Sequence, residues 1–84
     1  MNAIYKYELE ITDKQTISLP DDAEVLSIQE QQGAIYAWVR VDTDMPQCDR
    51  TFIVCGTGNP IHQGQMKHLA TIQKDYMVWH FFEL

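Results

Sequence analysis

The chain is short of positive charge: six Lys and Arg stand against twelve Asp and Glu among 84 residues, a formal net charge of −6. Nucleic-acid phosphates are held by clustered Lys and Arg, so non-specific binding to DNA or RNA is not expected. Long apolar runs are missing as well. None approaches the roughly 20 residues that a helix needs to cross a bilayer, so no membrane association is expected. Only two cysteines occur, Cys48 and Cys55, without Cys-x-x-Cys spacing and with no signal peptide ahead of them, which predicts reduced thiols in a cytoplasmic setting. With His62, His68 and His80 they make no recognised zinc-ligand pattern, so neither a metal nor a cofactor is expected. No repeat, linker or low-complexity stretch divides the chain, and residues 1–84 are expected to form a single domain.

What is present points to a packed core. Hydrophobic residues make up 45% of the chain and aromatic residues 11%, against 21% charged, a balance unlike that of disordered chains. A domain this small buries only about 60–65% of its unfolded surface, so oligomerisation would add useful stability. The acidity keeps a small protein in solution, and it would also attract a basic protein surface.

Strand patterns follow one another along the sequence. Tyr5, Tyr7, Leu9 and Ile11 alternate with Lys6, Glu8, Glu10 and Thr12, the two-residue period of a half-buried strand. Asp13-Lys14 reads as a turn, Thr16 to Leu19 as a short strand ending at Pro20, and Pro20-Asp21-Asp22 as a loop. Two β-prone stretches, Glu24 to Gln31 and Ala34 to Val41, flank Gln32-Gly33, whose glycine suits a tight hairpin turn. The second arm carries Ile35, Tyr36, Trp38, Val39 and Val41 on both faces, which predicts cover on both sides for part of it. Asp42 to Asp49, with Pro46 inside it, reads as an exposed, mobile loop. Arg50 to Cys55 returns to strand, Gly56-Thr57-Gly58-Asn59-Pro60 breaks it, and one helical turn fits within Ile61 to Lys67. His68 to Gln73 reads as a strand, Lys74-Asp75 as a turn, and the aromatic-rich Tyr76 to Glu83 as a central final strand. About seven short strands predict an all-β fold, a single small antiparallel β-sandwich or a partly open barrel.

Few residues suggest chemistry. Gly56-Thr57-Gly58 has the composition of a backbone nest for an anion, but it lacks the Lys-Ser/Thr of a P-loop and the third glycine of a dinucleotide fingerprint, so turn geometry is the simpler explanation. Trp79 and His80 are neighbours in a strand and must face opposite ways, so at most one shares a surface with Trp38 or Tyr36. A histidine in an apolar strand is more often bonded within the fold than catalytic, and no Ser, Cys or carboxylate stands at a spacing that makes His80 a general base. Cys55 beside His80 or His62 would need a base to act as a nucleophile, and a buried cysteine is commonly a small apolar filler. Asp42, Asp44 and Asp49 lack the ligand spacing of a calcium loop and read as a solvated acidic loop. Arg40 and Arg50 flank that loop; loop-anchoring ion pairs explain them as well as an anion clamp does, and Arg50 with the 56–58 turn is where an anionic ligand would be sought.

Lys6-Tyr7 with Leu9, Leu26-Ser27-Ile28-Gln29, the Trp38 hairpin arm, Arg50-Thr51-Phe52, Gly56-Thr57-Gly58 with Pro60-Ile61, and Val78-Trp79-His80 occur in a familiar order. Across nearly the whole chain this order resembles a family of small uncharacterised proteins encoded mainly by tailed phages and bacterial prophages. In those proteins a histidine often follows the second glycine, where this chain has Asn59. The family carries no accepted activity. The resemblance implies a phage-type accessory protein in the cytoplasm of a bacterial host, where small proteins of this kind often block host defence.

Three functions compete on these grounds. The first is a non-enzymatic interaction protein that inhibits a bacterial defence or regulatory factor through its acidic residues Asp42, Asp44 and Asp49 or through a sheet edge. The second is a binder or sponge for a small nucleotide-like signal, in which Trp38, Trp79 or His80 stacks on a base while Arg50, Gly56, Thr57, Gly58 and Asn59 hold phosphate. The third is a virion or assembly accessory protein. Pairing of sheet edges into a homodimer or higher homo-oligomer is compatible with all three.

Overall fold

The computed structural model describes residues 1–61 and 64–84, and among these the chain forms seven strands and no helix. They are β1 (Asn2–Leu9), β2 (Lys14–Pro20), β3 (Glu24–Gln31), β4 (Ala34–Asp42), β5 (Gln47–Gly56), β6 (Lys67–Lys74) and β7 (Met77–Glu83). β1, β4 and β3 make one antiparallel sheet in that order, and β2, β5, β7 and β6 make the other. The two sheets pack face to face, so the sandwich expectation holds and a closed barrel is not formed. With no helix among the described residues, none is long and apolar enough to cross a membrane.

The two-residue period of the sequence decides which side chains meet between the sheets. Along β4, Ile35, Ala37, Val39 and Val41 are buried and face β5 and β7, which send in Phe52, Val54 and Phe81. Leu9, Leu19, Ala23 and Ile28 complete this core. Full burial of each large side chain stabilises the fold by about 1.5–3 kcal/mol. Tyr36 and Trp38 lie on the outer face of β4 in edge-to-face contact, with rings 6.1 Å apart, and the Lys6 ammonium sits 4.4 Å from the Tyr36 ring. Among the described residues no further layer of strands covers that outer face, contrary to the expectation of cover on both sides for part of the arm. Aromatic contacts within the sheet itself shield these rings in part.

Several boundaries differ from the sequence expectation. β1 stops at Leu9 because the Gln15 side chain takes both backbone groups of Glu10, and Ile11 lies exposed beyond it. Lys14 belongs to β2 opposite Ile53 and is not part of a turn. The acidic loop shrinks to residues 43–46, since β4 continues to Asp42 and β5 begins at Gln47. In the last hairpin the turn residues are Asp75 and Tyr76, and the strand begins at Met77. β7 is central, between β5 and β6, as its aromatic content predicts. The helical turn proposed for Ile61 to Lys67 includes residues outside those described.

Candidate functional site

One end of the sandwich collects acidic side chains. β2 ends at Pro20 opposite Gln47, and the next residue, Asp21, donates its amide to the Pro46 carbonyl at 2.8 Å, tying the β2–β3 turn to the β4–β5 loop. Asp22 takes a positive φ of 61° there, a conformation that Asp tolerates, and the Ala23 amide closes the turn on the Pro20 carbonyl. Asp42 ends β4, and its carboxylate accepts the Asp44 amide at 3.0 Å. Both Asp42 and Asp44 also accept from the Met1 ammonium, at 3.2 and 2.9 Å. The Asp44 amide, followed by that ammonium, holds the Asp42 carboxyl below its ordinary pKa, while Asp44 and then Asp42 raise that of the ammonium. Asp49 lies close by in β5, opposite Ser18 on the outer face. Asp42, Asp44 and Asp49, named from the sequence, are thus joined by Asp21 and Asp22. The acidic Pro-Asp-Asp turn is visible locally, but nothing local links residue 21 to residue 46.

The two arginines that flank this end are already committed. Arg50 makes a two-pronged pair with Glu83, one arm at 2.9 Å, and its remaining terminal nitrogen donates to the Ala23 carbonyl. Both side chains are largely covered, 21% and 14% exposed. Glu83, ahead of partial burial, sets the direction of the Arg50 pKa, which is raised. A two-pronged guanidinium–carboxylate pair is a strong local contact, so Arg50 ties the end of β7 to β5 and to the β2–β3 connection. Arg40 pairs with Glu24 on the exposed face of the other sheet.

The glycine turn sits at the far end of β5, six residues beyond Arg50. The Asn59 amide bonds to the Gly56 carbonyl at 3.0 Å and Gly58 has φ 89°, the geometry of a type II turn. The Thr57 amide is bonded to the Val78 carbonyl. Two of the N–H groups that an anion nest would use are therefore spent, one on the turn itself and one on β7. Gly56 is closely packed: a Cβ there would come within 2.8 Å of the Asn59 side-chain Nδ2 and 3.2 Å of the Trp79 ring, so both side chains would have to shift to admit one. A cavity of about 280 Å³ opens beside this contact, lined by Trp79, Asn59, Pro60, Cys55, Asp13 and Thr12 among others.

The remaining aromatic and titratable residues are spread over three surfaces. Trp79 turns inward beside Gly56 and packs against the core, whereas His80 faces outward in the register of Cys55 and Thr71. Trp38 lies on the outer face of the opposite sheet. His80 is held between the hydroxyls of Thr57 at 2.8 Å and Thr71 at 3.1 Å, and Thr71 also meets His68 at 2.9 Å. The Cys55 thiol points to the Pro60 carbonyl at 3.4 Å. His62 lies outside the described residues, so its pairing with Cys55 is not described. The structure thus brings Gly56, Thr57, Gly58, Asn59, Trp79 and His80 to one end of the second sheet, and leaves Arg50 and Trp38 apart from them. Among the described residues no group of three or more His, Cys, Asp or Glu is placed to hold a metal ion.

The whole chain, residues 1–84, matches the family described as Domain of unknown function (DUF7352), and the protein belongs to that family. No curated protein and no solved structure matches it.

Proposed function

We propose that this protein is a binding domain that engages a basic protein surface through its acidic end. The observation that carries this reading is the Asp21–Pro46 hydrogen bond, which sets the Asp21-Asp22 turn beside the Asp42–Asp44 loop and near Asp49. Most of these carboxylates face solvent; Asp42 and Asp44 share the Met1 ammonium, Arg40 and Arg50 are taken by Glu24 and Glu83, and among the described residues Asp21, Asp22 and Asp49 make no ion pair, so the end keeps an excess of negative charge. Exposed charge of one sign steers a complementary partner and raises its rate of encounter. The resemblance to small phage and prophage proteins supports a finer choice, a bacterial defence or regulatory factor as the partner, with inhibition as the outcome of binding.

The test compares the wild-type chain with the variant Asp21→Asn, Asp22→Asn, Asp44→Asn, Asp49→Asn in affinity capture from bacterial lysate at rising salt. The expected result is a stoichiometric basic partner that wild type retains at low salt, releases at high salt, and the folded variant fails to retain. A partner held equally by the variant, or no stoichiometric partner at any salt, would sink the proposal.

A further inference from the structure

The edge strands of the two sheets are built differently. β3 is irregular between Val25 and Ser27, β6 between His68 and Ala70, and β2 ends on Pro20, which has no N–H to offer. Bulges and proline are the usual devices that stop an edge from templating a further strand. β1 has neither. Its eight residues pair with β4 without a shift in register, it contains no proline or glycine, and among the described residues no strand other than β4 lies beside it. It also leaves Ile4 62% and Tyr5 44% exposed, one on each side of the sheet. A long, regular, partly apolar edge with unpaired backbone groups is a template for strand addition.

We propose that a second copy of the chain occupies this edge, β1 against β1, antiparallel about a twofold axis at Tyr7. The two three-stranded sheets then form one of six strands. Charge selects that register. With the axis at Tyr7, Lys6 stands opposite the partner's Glu8, and Glu8 opposite the partner's Lys6, on the outer face. Moving the axis to Lys6 would set two ammonium groups against each other, and moving it to Tyr5 would place Glu8 opposite the partner's Asn2. Among the described residues neither Glu8 nor Lys6 makes an ion pair within its own chain, and Lys6 exchanges its bond to Gln31 and its place over the Tyr36 ring for the partner's Glu8. Tyr5, in the same register, stands opposite the partner's Leu9, and the apolar surface withdrawn from water there is that of Tyr5, since Leu9 is already buried in its own chain. An isologous contact of this kind closes on itself and leaves no β1 edge for a third copy, only the irregular β3 at each end of the sheet. Within β1 the contact spans only residues 5–9 of each copy and sets Ile4 beside the partner's Glu10 at its margin, a short contact from which the dimer is expected to dissociate on dilution.

Sedimentation velocity over a wide concentration range tests this with four chains: wild type, Lys6→Glu, Glu8→Lys, and the charge-swapped double variant. Wild type is expected to shift from monomer to dimer with concentration. Each single variant places like charges opposite at both symmetric positions and is expected to raise the dissociation constant roughly tenfold. The double variant restores opposite charges and is expected to return to the wild-type constant, which also shows that the substitutions leave the fold intact. A wild-type chain that stays monomeric throughout, a dimer indifferent to the single reversals, or a double variant that fails to recover each overturns the proposal.

Discussion

The β3–β4 and β6–β7 hairpins, one from each sheet, turn through the same backbone geometry with very different residues. The first turns on Gln32 and Gly33 at φ 51° and 87°, the second on Asp75 and Tyr76 at φ 53° and 66°. Both are two-residue loops with positive φ at each central position, the type I′ turn whose twist matches that of the flanking strands. Glycine takes that conformation freely, whereas a Cβ-bearing aromatic residue is strained there. The Tyr76 ring is fully exposed, so no contact of its own offsets the strain. The pairs Gln73–Val78 and Lys74–Met77, which close the second hairpin, hold the turn in place from outside it. The same turn is thus specified locally in one hairpin and imposed by strand pairing in the other.

The strongest way to break the comparison is Gly33→Val, which puts a β-branched side chain at φ 87° and is expected to destabilise the fold by about 2 kcal/mol in urea denaturation. An unchanged midpoint would mean that the first turn does not need its glycine. The reciprocal change, Tyr76→Gly, makes the second turn an Asp-Gly pair and is expected to stabilise by about 1 kcal/mol. A loss of stability instead would show that the tyrosine contributes something in the folded state that outweighs its strained backbone.

The smallest effect is expected where the hairpins touch. Lys74, 17% exposed, reaches Glu30 of the first hairpin at 3.3 Å and Asp75 of its own turn at 3.0 Å. The Asp75 and Glu30 carboxylates raise its pKa. The folded state therefore holds this proton more tightly than the unfolded chain. The contribution is fully present at neutral pH, below the unfolded lysine value, and is lost as pH rises through the higher folded one. Lys74→Met keeps most of the apolar stem, so thermal melts of wild type and variant should differ slightly at pH 7 and converge at strongly alkaline pH. Curves that stay equally far apart would place the effect in packing.

Much of the fold was legible because strand alternation is a local property. Ile35, Val39 and Val41 face inward, and Trp79 and His80 point to opposite sides, as a two-residue period requires. Tyr76 was not legible as a turn residue. Asp75 marks a turn nearby, but tyrosine is a strong strand former, which sets the expected turn one residue early, at Lys74-Asp75. The candidate site was legible only in pieces. The carboxylates of Asp42, Asp44 and Asp49 are evident in the sequence, but their meeting with Asp21 depends on a hydrogen bond to residue 46.

The sequence by itself determined the β class, the Gln32-Gly33 hairpin and the acidity, because each is set by neighbouring residues or by composition. The tertiary structure decided which strands share a sheet, that Arg50 is bound to Glu83, 33 residues away, and that Gly56 serves Trp79 and Asn59. Those outcomes depend on non-local pairing, which fixes the distance between groups far apart in the chain, and no local pattern of residues carries that distance.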